Sequence, residues 1–122
     1  MSELRDYRDL EVWRRSIGLA GKIHRISGGF PREELFELTS QMRRAAVSVA
    51  ANIAEGAERN STGEYIQFLG IARGSAAEVE TLIVLAQEFG YLNPEVGGPL
   101  LADVLVIRKM LSSLMRSLRS RP

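Results

Sequence analysis

Apolar residues recur along this chain at steps of three and four, the spacing of helices with one buried face, and no segment alternates as a strand would. Four segments emerge. The first runs from about Leu10 to Ser27, with Asp9 as its expected N-cap and Gly28-Gly29 as its stop. Leu10, Trp13, Ile17, Ala20 and His24 form one apolar stripe on it, and Val12, Leu19, Ile23 and Ile26 form another beside the first. A second helix is expected from Pro31, a residue suited to a first helical position, with Glu33 and Glu34 favouring the positive end of its dipole. Its core stripe is Leu35, Leu38, Met42, Ala45, Val49, Ile53 and Gly56.

The third helix opens on Ser61-Thr62-Gly63-Glu64, a capping box, and closes at Gly90. Between them Tyr65, Phe68, Ala72, Ser75, Val79, Leu82 and Ala86 repeat at heptad-like spacing. Asn93-Pro94 offers a start for the fourth, but Gly97-Gly98-Pro99 sets the expected start back to about residue 99. Leu100, Val104, Ile107, Leu111, Leu114 and Leu118 follow. Four amphipathic helices with short links predict an all-α fold, an antiparallel up-and-down four-helix bundle forming a single domain over residues 1–122. A chain of that length buries a core without disulfide or metal staples.

The second helix carries more apolar surface than one core needs. At about 100° per residue, Phe36, Val47, Ala50 and Ala54 form a face turned away from the core stripe. A polar row of Gln41, Arg44, Ser48, Asn52, Glu55 and Arg59 lies between the two. On the third helix Ile66, Ala77 and Val84 lie off the main stripe, and Gly70 and Gly74 are spaced as small-xxx-small. Each helical glycine costs about 1 kcal/mol against alanine, so the pair points to close backbone approach. These features predict a homo-oligomer with a seam of Phe36, Val47, Ala50, Ala54, Ile66, Gly70, Gly74 and Ala77.

Composition narrows the function classes. There is no cysteine, so disulfides and thiolate metal sites are excluded. The N-terminal stretch MSELRDYRDLEVW is charged and lacks the apolar run of a signal peptide. No apolar run approaches the ~20 residues that span a bilayer; Asp103, for instance, interrupts LLADVLVI. The expectation is a cytoplasmic protein with no membrane contact. Net charge is +1, lower than usual for a dedicated nucleic-acid binder, so any electrostatic reading rests on where the charges lie.

Four stretches, RDLEVW (8–13), TSQMRRAAVSVAANIAEG (39–56), EYIQFLGIARGSAAEVET (64–81) and MLSSLMRSLR (110–119), resemble a bacterial four-helix-bundle family. That family includes the 23S rRNA intervening-sequence proteins and the accessory variability determinant of diversity-generating retroelements. The resemblance lies in all four helices and covers most of the chain. It implies an up-and-down bundle, a ring-like homopentamer, and association with structured RNA or with an RNA-handling enzyme. Many relatives have proline where this chain has Ala50, so a straighter second helix is expected here.

Enzyme chemistry finds little footing, and no cofactor is expected. His24 is the only histidine and lies on an apolar stripe, where a core or boundary position is expected. Neither a paired Glu-x-x-His motif, a P-loop nor a nucleophile elbow occurs. Arg44, Asn52, Glu55 and Arg73 are expected to form a structural polar cluster between the second and third helices, since polar groups among alanines need partners. Two basic faces are the functional lead: Arg14, Arg15, Lys22 and Arg25 on the first helix, and Arg108, Lys109, Arg116 and Arg119 on the fourth. Without interleaved aromatics they suit phosphate contacts to structured RNA or DNA better than base stacking. The expectation is a non-enzymatic accessory protein that binds nucleic acid or a ribonucleoprotein. The alternative is a scaffold that docks an enzyme partner without touching nucleic acid.

Overall fold

The computed structural model describes residues 6–121; residues 1–5, where the charged N-terminal stretch begins, and Pro122 lie outside the described residues. Among the described residues there are four α-helices and no strand: α1 (Glu11–Ser27), α2 (Leu38–Ala57), α3 (Thr62–Glu88) and α4 (Pro94–Arg119). Each packs on its neighbours in the order α1–α2–α3–α4, and α4 returns to α1, which closes a four-helix bundle. Single 3-10 turns, Tyr7–Asp9 and Arg32–Glu34, precede α1 and α2.

Local chemistry sets the ends. Ser61 Oγ accepts from the Glu64 amide at 3.1 Å and donates to Glu64 Oε1 at 3.3 Å, so the expected box caps α3. Gly90, at φ 81°, takes the left-handed conformation just beyond α3 that other residues resist. Three starts differ from the expectation. Asp6, not Asp9, does the capping, and it caps the 3-10 turn; α1 begins after Leu10 with no side-chain cap. Past Pro31 the chain makes a 3-10 turn and a loop, and α2 begins at Leu38, whose amide donates to Glu34 Oε1. The fourth helix begins at Pro94 because Asn93 Oδ1 accepts from the Val96 amide at 3.0 Å. Gly97 is no breaker: a Cβ there would lie 2.6 Å from Gln87 Oε1, so the glycine admits α3.

The core follows the period. Met42, Val49, Ile53, Leu69, Val79, Ile83, Val104 and Leu111 are completely buried. On α1 the second stripe faces inward: Val12, Leu19 and Ile23 are buried with Ser16, whose hydroxyl donates to the Val12 carbonyl. Ile17 and His24 point outward, so the expectation of a core or boundary histidine is corrected. Leu35 is also exposed, since it precedes α2.

The α2–α3 seam is lined by small groups. A Cβ on Gly56 would fall 2.8 Å from Phe68 Cβ and 3.2 Å from the Tyr65 carbonyl oxygen. Arg43 reaches from α2 to α1, donating to the His24 carbonyl at 2.8 Å and Ser27 Oγ at 2.9 Å, and so supplies the C-terminus of α1 with a cation. Tyr91, after α3, donates to Glu34 Oε2 at 2.9 Å and ties the two connections at that end of the bundle.

Candidate nucleic-acid interface

The α4 face is basic because Lys109 and Arg116 fall on the side of the helix away from its buried stripe, with the half-buried Arg108 at the stripe's edge. The bundle sets this side against α3, where Arg73 donates to Ser112 Oγ at 3.1 Å. Arg73, Arg108, Lys109 and Arg116 thus line one open groove of about 630 Å³, with Leu105 and Ser112. Arg108 is held there by Glu80 at 2.7 Å, while its buried Nε has no partner among the described residues. Among those residues, no carboxylate lies within ion-pair distance of Arg73, Lys109 or Arg116. Arg116 and Arg119 also complement the negative end of α4, which accounts for part of their placement.

The α1 face is different. Arg15 pairs with Glu11 at 3.0 Å and Lys22 with Asp103 at 2.9 Å. Arg14 lies 3.6 Å from Asp9 and donates to the Arg8 carbonyl. Arg25 folds back along its own helix, its guanidinium 3.5 Å from where a Cβ on Gly21 would be. Three of these four cations are therefore matched by acids, whereas in the α3–α4 groove only Arg108 is so paired among the described residues.

The expected polar cluster does not assemble. Arg73 turns to α4, Glu55 pairs at 2.6 Å with Arg59 just past the end of α2, and Arg44 stands over an open groove with Gln41, Ser48 and Glu78. Of the four, Asn52 alone joins the seam. Its Nδ2 donates to the Ser48 carbonyl at 2.9 Å and to Ser48 Oγ at 3.0 Å, and the Ser48 and Ser75 hydroxyls meet at 2.9 Å. The physical reason is space: helices close enough to require Gly56 leave room for serines between them and push longer side chains outside.

The expected oligomer seam is also redistributed. Phe36 sits in the loop before α2 and is 88% exposed, whereas Val47, 58% exposed, lies on the helix itself. Ala50 is 5% exposed within the protomer, and α2 runs through it unbroken. Ala54, Ile66, Gly70 and Ala77 are half-buried, and a Cβ on Gly70 would meet Met115 at 3.6 Å. Gly74 is exposed, with nothing within 4 Å of its absent Cβ.

A sequence profile of the 23S rRNA-intervening sequence protein family matches residues 8–113. The chain belongs to that family. Among solved structures, a protein of unknown function from the S23 ribosomal protein family of Bacteroides thetaiotaomicron is similar, at 28% identity and a TM-score of 0.79. The match covers 85% of this chain and 97% of that one. None of the curated proteins matches. Among the described residues no cluster of histidines and carboxylates could hold a metal ion, and no helix is long and apolar enough to cross a membrane.

Proposed function

We propose that this family member is a non-enzymatic accessory protein that binds structured RNA through the α3–α4 groove. The observation that carries the reading is the convergence of Arg73, Lys109 and Arg116 on one groove without neutralising carboxylates among the described residues. Such a groove attracts a phosphate backbone, and with no aromatic side chain lining it, contacts to phosphate and sugar outweigh base readout. The family's description, which ties it to intervening sequences of 23S rRNA, agrees with RNA as the polyanion.

Assembly completes the proposal. One groove offers few phosphate contacts; copies of it in a closed ring, the homopentamer implied by the resemblance, multiply weak contacts. Val47 and Ile71 are exposed on α2 and α3, and Gly74 has no packing reason within the protomer, which supports a second copy approaching there. A scaffold that docks a protein without nucleic acid is the second reading, favoured by the ion pairs that occupy the α1 face. Fluorescence anisotropy with a structured RNA and a DNA duplex across a salt series tests the proposal. Salt-sensitive binding supports it, and absence of binding at low salt leaves the scaffold.

A further inference from the structure

Arg73 and Glu80 share one face of α3, about two turns apart, and meet Ser112 and Arg108, about one turn apart on α4. The packing thus sets a cation and a carboxylate of α3 against a hydroxyl and a cation of α4. The two contacts are unlike. Arg73 donates to a neutral hydroxyl at 3.1 Å and lines the groove. Arg108 lines the same groove, but Glu80 matches its charge at 2.7 Å.

The Arg108–Glu80 pair is incomplete. Its bond runs from Nη1 of Arg108 to Oε1 of Glu80, and the buried Nε–H has no partner among the described residues. A guanidinium presents Nε and a terminal nitrogen as a fork that fits a carboxylate or a phosphate. Arg8 uses that fork on Asp6, through Nε and Nη2, and Arg108 does not use it on Glu80. A buried donor without a partner is costly, so the closed position of Arg108 is not its best one. Opening it costs little, because the pair lies half in water, with side chains 39% and 35% exposed.

We propose that Glu80 is an internal competitor for phosphate at this groove, and that RNA releases Arg108 from it as a fourth phosphate-binding cation. The proposal rests on the groove being the RNA site. On binding, Arg108 turns its Nε and Nη2 edge to a phosphate and joins Arg73, Lys109 and Arg116, leaving Glu80 to water. The exchange is selective, because Glu80 repels any anion that does not displace it. A phosphodiester chain already held by Lys109 and Arg116 brings its next phosphate to Arg108 at high local concentration, and an isolated anion does not.

The test follows anisotropy of a labelled structured RNA over a salt series for the full chain and three variants, with circular dichroism confirming the bundle. Glu80→Gln keeps the side-chain shape and removes the competitor. It should bind about five- to tenfold more tightly than the wild type with the same log–log salt slope, since Arg108 meets phosphate in both complexes. Glu80→Gln with Arg108→Gln should bind about tenfold more weakly than Glu80→Gln, with a slope shallower by about one. Glu78→Gln removes the same charge from the α2 side of α3 and should stay within about twofold of the wild type. A double variant with the wild-type slope, or a gain that Glu78→Gln reproduces, overturns the proposal. So does wild-type binding that Glu80→Gln leaves unchanged, in which case the groove still stands as the RNA site. Absence of binding by both the wild type and Glu80→Gln at low salt overturns the groove and the competitor together.

Discussion

Ser48 Oγ of α2 lies 2.9 Å from Ser75 Oγ of α3, and the pair is extended by Asn52, whose amide reaches both the hydroxyl and the carbonyl of Ser48. This short polar chain is the link between the alanine-rich helices, in place of a cluster of long charged groups. Because the two hydroxyls satisfy each other, removing one costs more than its share of removing both. Ser75→Ala alone should lower unfolding free energy by about 1 kcal/mol, and a double-mutant cycle with Ser48→Ala should give a coupling of about 0.5–1 kcal/mol. Urea denaturation of the four variants measures it. Asn52→Ala should fall in the same range, since its bonds stay within α2.

Gly56 and Gly74 should respond oppositely to alanine. At Gly56 the added methyl meets Phe68 Cβ and the Tyr65 backbone, neither of which is the free end of a flexible side chain, so a loss of about 1–3 kcal/mol is expected. At Gly74 the methyl meets nothing, and helix propensity alone should stabilise the protomer by about 0.5–1 kcal/mol. If a second copy approaches there, Gly74→Ala should also weaken assembly in light scattering while the protomer melts higher. A variant that melts higher with its oligomer unchanged moves the seam elsewhere.

Tyr91 is held neutral. The hydrogen bond to Glu34 raises its pKa above the usual tyrosine value, with burial and the charges of Glu34 and Glu33 adding to the effect. A group whose folded pKa is raised contributes stability that is present in full below its unfolded pKa and lost as pH rises through the folded one. The tie between the two connections should therefore hold through neutral pH and fail only in the alkaline range. Ultraviolet titration of the chain, with Tyr91→Phe as the reference that isolates this tyrosine, should show Tyr91 ionising at lower pH in Glu34→Gln. An unchanged midpoint would show that the carboxylate does not hold the proton.

Much of the bundle was legible in the sequence because its core obeys a helical period: the inward positions of α2 and α4 fall where the spacing put them, and the Ser61 cap is where its motif stands. The ends were harder. Asp9 and Pro31 both have the chemistry of a helix start, but capping by Asp6 and the Glu34 bond to Leu38 place the starts elsewhere. Gly97-Gly98-Pro99 looks like a stop until Gln87 is seen packed where a side chain would be. The candidate site was half legible. Periodicity put Arg108, Lys109 and Arg116 on one face, yet Arg73 joins them only through the packing of α3 on α4, a relation between residues 39 apart in sequence. No local signal distinguishes it from the arginines that pair along their own helix. The acids that neutralise the α1 face are similar: Glu11 is visible at the spacing of one helical turn, but Asp103 meets Lys22 from another helix.

Charge reversal in the groove addresses the central claim most directly. Anisotropy of a labelled structured RNA should be followed for the wild-type chain and for Lys109→Glu with Arg116→Glu over a salt series, with circular dichroism confirming an intact bundle. The wild type should bind at low salt with a log–log slope of about −2 or steeper, as expected when three cations with no carboxylate partner among the described residues displace counterions. The reversed chain should bind at least about tenfold more weakly with a shallower slope. Equal affinity of the two chains, or no binding by the wild type at low salt, would contradict the account.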